Sequence, residues 1–439
     1  MHLRTRIIDG LLLQWRVDGG RSRVALKRHR LGQRRKALGF SQEKLAHLLG
    51  VERSTVVRWE NAETDPQPWH RGRIAAALQV TLEQLDDMLA DVSVAARRGQ
   101  ATMGQEHPQA IVGATRPELI DGVRDFLTNY LTPPAAPTQS LVDVRRSVGR
   151  AHNLYQRASY SSAARLLPDV LGQATALSTG PGGAHRSSAF RLLAAAYIAA
   201  SKLAVKVGDG DTALLAADRA ASAARSAGDQ ALTAVAAYQA ACGLRRLPGR
   251  SAEAEQMART SIDRLASTSA TSDPDLLSAQ GALLLLAALM SAERGQAKES
   301  GQLLTRAEGL ASTLGTDRNR LWTGFGPTNV VIHAVSAAVH AENADRALAL
   351  GAQLDTTRLP TVLVGRRAQV HVDLAAAAMI ASGDRSEAVL HLLEAERIAA
   401  ETVHTNIQAR TLLLDLLARE RRTATPGLRP LAERAGLLV

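Results

Sequence analysis

The sequence predicts an all-α protein: a small N-terminal helical bundle followed by an α-solenoid of paired helices. Three observations carry this. The chain is 46% hydrophobic but only 3% aromatic, and alanine and leucine, both strong helix formers, dominate it. Two short runs between Ser41 and Glu60 place apolar residues at helical spacing. From about Leu141 onward, amphipathic runs alternate with short polar turns at nearly regular intervals.

Residues 1–22 are basic and contain glycine, and they read as a flexible N-terminal arm. Arg23 to Leu38 reads as a first helix, with Leu26, Leu31 and Leu38 among Lys27, Arg28, Arg30, Arg34, Arg35 and Lys36. Ser41 then offers a hydroxyl to cap a second helix, and Glu43 puts negative charge at its positive end. Leu45, Ala46, Leu48 and Leu49 give that helix an apolar face. Gly50 closes it in a conformation that costs other residues dearly. A third helix starts near Glu52 or Arg53 and turns Val56, Val57 and Trp59 inward, with Trp59 read as core. Its other face carries Arg53, Ser54, Thr55 and Arg58, side chains suited to a major groove. This is a helix-turn-helix pattern. After an Asn61–Pro68 loop, Trp69–Leu78 and Thr81–Leu89 complete a five-helix bundle, with Thr81 as an N-cap.

The runs SQEKLA, Gly50-Val51 and STVVRWENAETDP resemble the XRE (phage-repressor-like) DNA-binding domain over roughly residues 23–90. Ala62 stands where many members have glycine. The resemblance implies contacts to phosphate or base edges from Gln42, and Lys44 and Asn61 are candidate backbone contacts. Arg53, Ser54, Thr55 and Arg58 are the main candidates for base and phosphate contact. Arg34, Arg35 and Lys36 could add phosphate contacts, but a charge run is more often a solvated face. Residues 21–90 hold thirteen Lys/Arg against eight Asp/Glu, so about half of the formal +11 charge sits in this short segment. That is the footprint of a DNA-binding module.

Residues 91–140 read as a linker, broken by Gly104, Pro108 and the 133–137 proline run, with a short helix at Pro117–Leu131. From 141 to 439, polar turns recur near Ser159, Gly208-Asp209, Gly249-Arg250, Gly295-Gln296, Asn343-Ala344 and Gly383-Asp384. About five positions after each stands a small or apolar residue: Ala164, Ala213, Ala254, Ser300, Leu348 and Ala388. Small residues at that place let paired helices approach closely. The pattern resembles tetratricopeptide repeats, with longer helices than their roughly 34-residue period allows and without most of their aromatic signature. Such stacks form a curved solenoid with a concave inner surface. The stretch from FGPTNVVIHAVSAAVHAENADRAL to LRPLAERAGLLV resembles the C-terminal region of actinobacterial XRE regulators with a TPR-like domain.

In that domain Trp322, Phe325, Asn329 and His333 form a candidate effector groove, with helix packing as the competing explanation. Arg245-Arg246 and Arg366-Arg367 read as solvated. His340, His371, His391 and His404 lack metal-ligand spacing, and no cofactor or metal is expected. Gly208-Asp209-Gly210-Asp211 reads as an inter-helix turn. P-loop, G-x-S-x-G and H-E-x-x-H signatures are missing, so an enzyme is not expected. The single cysteine, Cys242, excludes a disulfide framework and suits a reducing cytoplasm. No apolar run reaches the roughly 18 residues a membrane span needs.

The resulting expectation is a transcriptional regulator that binds double-stranded DNA at a pseudo-palindrome as a homodimer. Its TPR-like domain would dimerise, sense a peptide or small-molecule effector, or both. The rival reading is a TPR-like scaffold for a partner protein, with the helix-turn-helix as a DNA tether.

Overall fold

The computed structural model describes residues 28–61, 64, 66–82, 84–85, 88–89, 116–129, 138–180, 185–266, 273–381, 385–418, 420 and 425–438. The expected 1–22 arm, the proline run at 133–137, Ala62 and the Gly383-Asp384 turn lie outside them. The described residues form twenty α-helices and no strand. The chain divides into two compact units, residues 1–106 and 107–439.

The first unit contains α1 (His29–Ala37), α2 (Gln42–Leu49), α3 (Arg53–Glu60) and α4 (Pro68–Ala77). Helical residues follow between Leu82 and Leu89. Thr81 opens this last segment with reciprocal bonds: Gln84 N donates to Thr81 Oγ1 (3.1 Å) and Thr81 N to Gln84 Oε1 (3.0 Å). Two free amides are thereby satisfied at once. The core joins Leu31, Leu45, Leu49, Val56, Trp59, Ile74, Leu78 and Leu85. Trp59 is buried, as expected. The described helix begins at His29, because Arg28, inside the predicted span, is non-helical (φ −73°, ψ 78°). Its backbone N–H is instead drawn to the Glu60 carbonyl at 2.6 Å.

The second unit begins earlier than expected. A 3-10 turn at Pro117–Leu119 leads into α5 (Asp121–Thr128), whose Ile120, Val123 and Leu127 side are fully buried in the main core. Arg124 pairs with Asp209 at 2.7 Å. The short helix predicted inside the linker is thus part of the helical domain.

Six helical hairpins follow: α6 (Leu141–Gln156) with α7 (Tyr160–Thr179), α8 (Arg186–Val207) with α9 (Gly210–Ser226), α10 (Gln230–Leu244) with α11 (Ser251–Ala266), α12 (Pro274–Glu293) with α13 (Ala297–Leu314), α14 (Pro327–His340) with α15 (Ala344–Ala352), and α16 (Val364–Ala381) with α17 (Arg385–Ile398). α18 (Ala400–Thr405), α19 (Ile407–Ala418) and α20 (Leu428–Arg434) close the chain. Five hairpin turns are described, and each contains a residue of positive φ: Ala158, Gly208, Gly249, Gly295 and Glu342. Counting from these residues, the fifth position is Ala163, Ala213, Ala254, Ser300 and Ala347, every one at most 3% exposed. The expected positions Ala164 and Leu348 are one residue late and only half-buried. The repeat is anchored on the left-handed residue of the turn, which at Ala158 and Glu342 is not a glycine.

The first helix of each hairpin packs on the first helix of the next, from α6 through α8, α10, α12 and α14 to α16. The α-solenoid of paired helices is present as expected, and its two ends also meet, because α16 packs against α6. Tyr160 Oη lies 3.2 Å from Thr402 Oγ1, and Ser161 N donates to Glu401 Oε2 at 2.8 Å across the same seam. The stack is a closed ring. α8 and α12 are long and apolar enough to span a bilayer, contrary to the reading of the sequence, but 78% of each apolar window is buried inside the ring. Their apolar character covers every side because neighbours surround them.

Candidate nucleic-acid interface

α2 starts where Ser41 Oγ accepts from Lys44 N at 3.0 Å and ends at Gly50, whose φ is 68°. The chain turns through Val51 and enters α3 at Arg53. α3 buries Val56, Trp59 and Glu60 and leaves Arg53, Ser54 and Arg58 exposed, with Thr55 and Val57 half-buried. One face is thus fixed by the core and the opposite face carries the polar side chains, as expected from the sequence except that Val57 stays partly exposed.

Glu60 holds this arrangement. It is 8% exposed and accepts from Arg35 Nε (2.6 Å), Arg35 Nη2 (3.2 Å) and Gln42 Nε2 (2.7 Å). One carboxylate therefore ties α1 and the start of α2 to the end of α3. Arg28, 4% exposed, donates to the carbonyls of Trp59 (2.8 Å), Thr64 (2.9 Å) and Leu89 (3.2 Å). Arg34 donates to the carbonyls of Leu78 and Gln79, both at 2.9 Å, at the negative end of α4. The basic run of α1 is accordingly not a solvated face. Arg28, Arg34 and Arg35 are structural, and Lys36 is the exposed member. Sequence reading missed Arg28 and Glu60, whose only visible signal is the Trp59-Glu60 end of α3.

A polar cleft brings Gln42, Arg53 and Asn61 together with Lys36, Ser41 and Glu43. Gln42 reaches it already oriented by Glu60. Lys44 lies outside the cleft, with its ammonium 5.5 Å from the Phe40 ring centroid. Ser54 donates to the Glu52 carboxylate at 3.0 Å, which fixes its hydroxyl at the start of α3. Arg53 and Arg58 are exposed cations on the same helix.

Residues 31–85 match the Helix-turn-helix family model. The match begins in α1 and ends at Leu85 in the last helical segment. It covers the helix-turn-helix domain and not the ring. No curated protein and no solved structure gives a significant match to the chain.

The second set of expected site residues does not form one groove. Phe325 is fully buried, and an added Cβ on Gly281 of α12 would collide with its ring. Asn329 is 2% exposed. His333 Nδ1 lies 2.9 Å from the Asn329 carbonyl, and burial, then the nearby Arg366 charge, pulls its pKa down to about 3. These three pack the ring. Only Trp322 reaches an open space: it lines the central cavity, stacked at 3.8 Å on the buried His152. The two arginine pairs are also not solvated. Arg245 is salt-bridged to Glu293, Arg246 is depressed to about 10 by burial and by Arg245, Arg367 donates to the Leu359 carbonyl at 2.9 Å, and Arg366 lines the cavity.

Proposed function

We propose that the chain is a sequence-specific, DNA-binding transcriptional regulator. α3 enters the major groove, with Arg53, Ser54, Thr55 and Arg58 contacting bases and phosphates, Gln42 a phosphate or base edge, and Lys44 and Asn61 the phosphate backbone. The protein acts as a homodimer on a pseudo-palindromic operator in the cytoplasm, since operator symmetry mirrors that of the dimer. The helical ring supplies dimerisation, effector sensing, or both. An effector would act by favouring one arrangement of the two heads over another.

One observation carries this reading: α3 is held by its apolar face and by Glu60, which leaves Arg53 and Arg58 on the exposed side. Rigid support of a reading helix is what base discrimination requires. The test is selection of bound sequences from a random DNA pool at fixed, near-physiological salt, because phosphate contacts alone weaken steeply with salt. Wild type is expected to recover an inverted repeat, and Arg53→Ala/Arg58→Ala to lose it. Recovery of no motif by wild type would sink the proposal. Removal of residues 141–439 separates the scaffold reading: unchanged DNA affinity with loss of a co-purifying protein would favour a tether.

A further inference from the structure

The centre of the ring holds a cavity of about 210 Å³, walled by α6, α8, α10, α12, α16 and the Arg320–Trp322 turn. Among the described residues three cations line it, Lys202, Lys206 and Arg366, and no aspartate or glutamate does. Lys202 is 6% exposed. Its ammonium donates to the Trp322 carbonyl at 2.8 Å, which leaves two of its three N–H donors for another acceptor. Lys206 Nζ lies 5.4 Å from the Tyr160 ring centroid. None of the three has a carboxylate at ion-pair distance among the described residues.

The nearby acids are engaged elsewhere. Asp373 bonds to Ser336 and Gln369, and burial pushes its carboxyl up, toward the neutral form. Glu401 is held by Ser161. Burial, with Arg366 and Arg246 close by, pulls Lys202 and Lys206 down to about 7. Unpaired buried cations are costly, and an anion in their midst relieves the cost. The remaining wall joins Tyr155, Tyr238 and Trp322 to Val205, Val235 and Leu363. Gln239, 3% exposed, also faces the cavity, and its side chain makes no hydrogen bond among the described residues.

We propose that this cavity binds a small organic anion, a carboxylate on an apolar or aromatic body, with its charge drawn to Lys202, Lys206 and Arg366. The apolar wall favours an organic acid over a bare inorganic anion. The volume lies below the roughly 300 Å³ at which drug-sized pockets begin, so a peptide of several residues does not fit. Because the wall combines α6 and Tyr160 from the first hairpin with α16 from the sixth, the ligand bridges the seam of the ring. The inference deepens the regulator reading by naming its effector class. Its test uses no DNA, so either can fail alone.

The experiment is calorimetric titration of the full-length protein near pH 7 with benzoate, its neutral isostere benzamide and inorganic phosphate, in two buffers of different ionisation enthalpy. Benzoate is expected to bind one site saturably, with net proton uptake, about tenfold or more tightly than benzamide and more tightly than phosphate. Lys202→Met/Lys206→Met is expected to weaken benzoate by about tenfold or more, since charge-assisted bonds are lost, with helicity unchanged. Equal binding of benzoate and benzamide overturns the proposal, as does no saturable binding of benzoate at millimolar concentration. Tighter binding of phosphate than of benzoate overturns the organic part of the assignment. If the double variant does not fold, the benzoate–benzamide contrast and the proton uptake decide.

Discussion

In the helix-turn-helix domain, Arg28 and Arg35 are buried at 4% and 5% exposure, and their guanidinium groups meet carbonyls or the Glu60 carboxylate. In the ring, Lys202 is buried to a similar degree, and among the described residues neither it nor Lys206 nor Arg366 meets a carboxylate. The first arrangement spends its cations on geometry, because each bond locks one helix end to another. The second sets them around a cavity, where Lys202 meets the Trp322 carbonyl but no carboxylate among the described residues. The same ring also shows the first solution: Glu255 is bonded to Arg259 and Arg294. The cavity cations therefore differ from their surroundings and not merely from another domain.

The contrast can be broken most forcefully at Glu60. Glu60→Ala strands Arg35 and frees Gln42, and removing one partner of a buried pair costs roughly 3–5 kcal/mol. Hydrogen exchange read by peptide is expected to rise across residues 31–85 and to stay unchanged across 141–439. Protection retained in the first segment would show that Glu60 is not the anchor.

Next in size is Arg58→Ala, which touches the exposed face only. It is expected to reduce operator affinity by about 1–3 kcal/mol, with the melting temperature unmoved. A parallel loss on random DNA would reassign Arg58 to phosphate contact.

Gly281→Ala probes the ring's packing without altering its charge. The new methyl would overlap the Phe325 ring, and overpacking of this kind costs about 1–3 kcal/mol. Denaturant unfolding measures it, and a neutral result would mean that Phe325 can move aside.

The cavity cations themselves are tested by a slope with pH. Lys202 and Lys206 sit near 7 in the fold against an ordinary 10.5. Between these values the unfolded chain binds more protons, so ring stability is expected to rise as pH increases from 7 to 9. The slope reverses above about pH 10, where Tyr155, raised to about 12 by burial, holds a proton that the unfolded chain loses. Lys202→Met/Lys206→Met should flatten the rise, and saturating benzoate should reduce it. Denaturant titrations across this range would show no slope if the lysines are solvated.

Much of this was legible in the residues. Ser41, Gly50 and the Val56–Trp59 spacing announce α2 and α3, because caps and helical periodicity are local signals. The hairpin turns at Gly208, Gly249 and Gly295 were legible for the same reason. Ala158 and Glu342 hid the register of their hairpins, since a left-handed residue that is not glycine leaves no mark in sequence. Arg35 looked like part of a solvated run because its partner is 25 residues away. Phe325 and Asn329 admitted both a groove and a packing role, because their exposure depends on helices remote from them in sequence.

By itself, then, the sequence determined the helices, their caps and turns, the small residues between them and the polar face of α3. All follow from interactions within a few residues of one another. Tertiary structure alone decided the rest: which arginines are bolts, that α6 meets α16 to close a ring, and that Lys202, Lys206 and Arg366 share a cavity. These depend on the meeting of segments tens to hundreds of residues apart, where burial sets the cost of a charge and the neighbouring helix decides whether a partner is present.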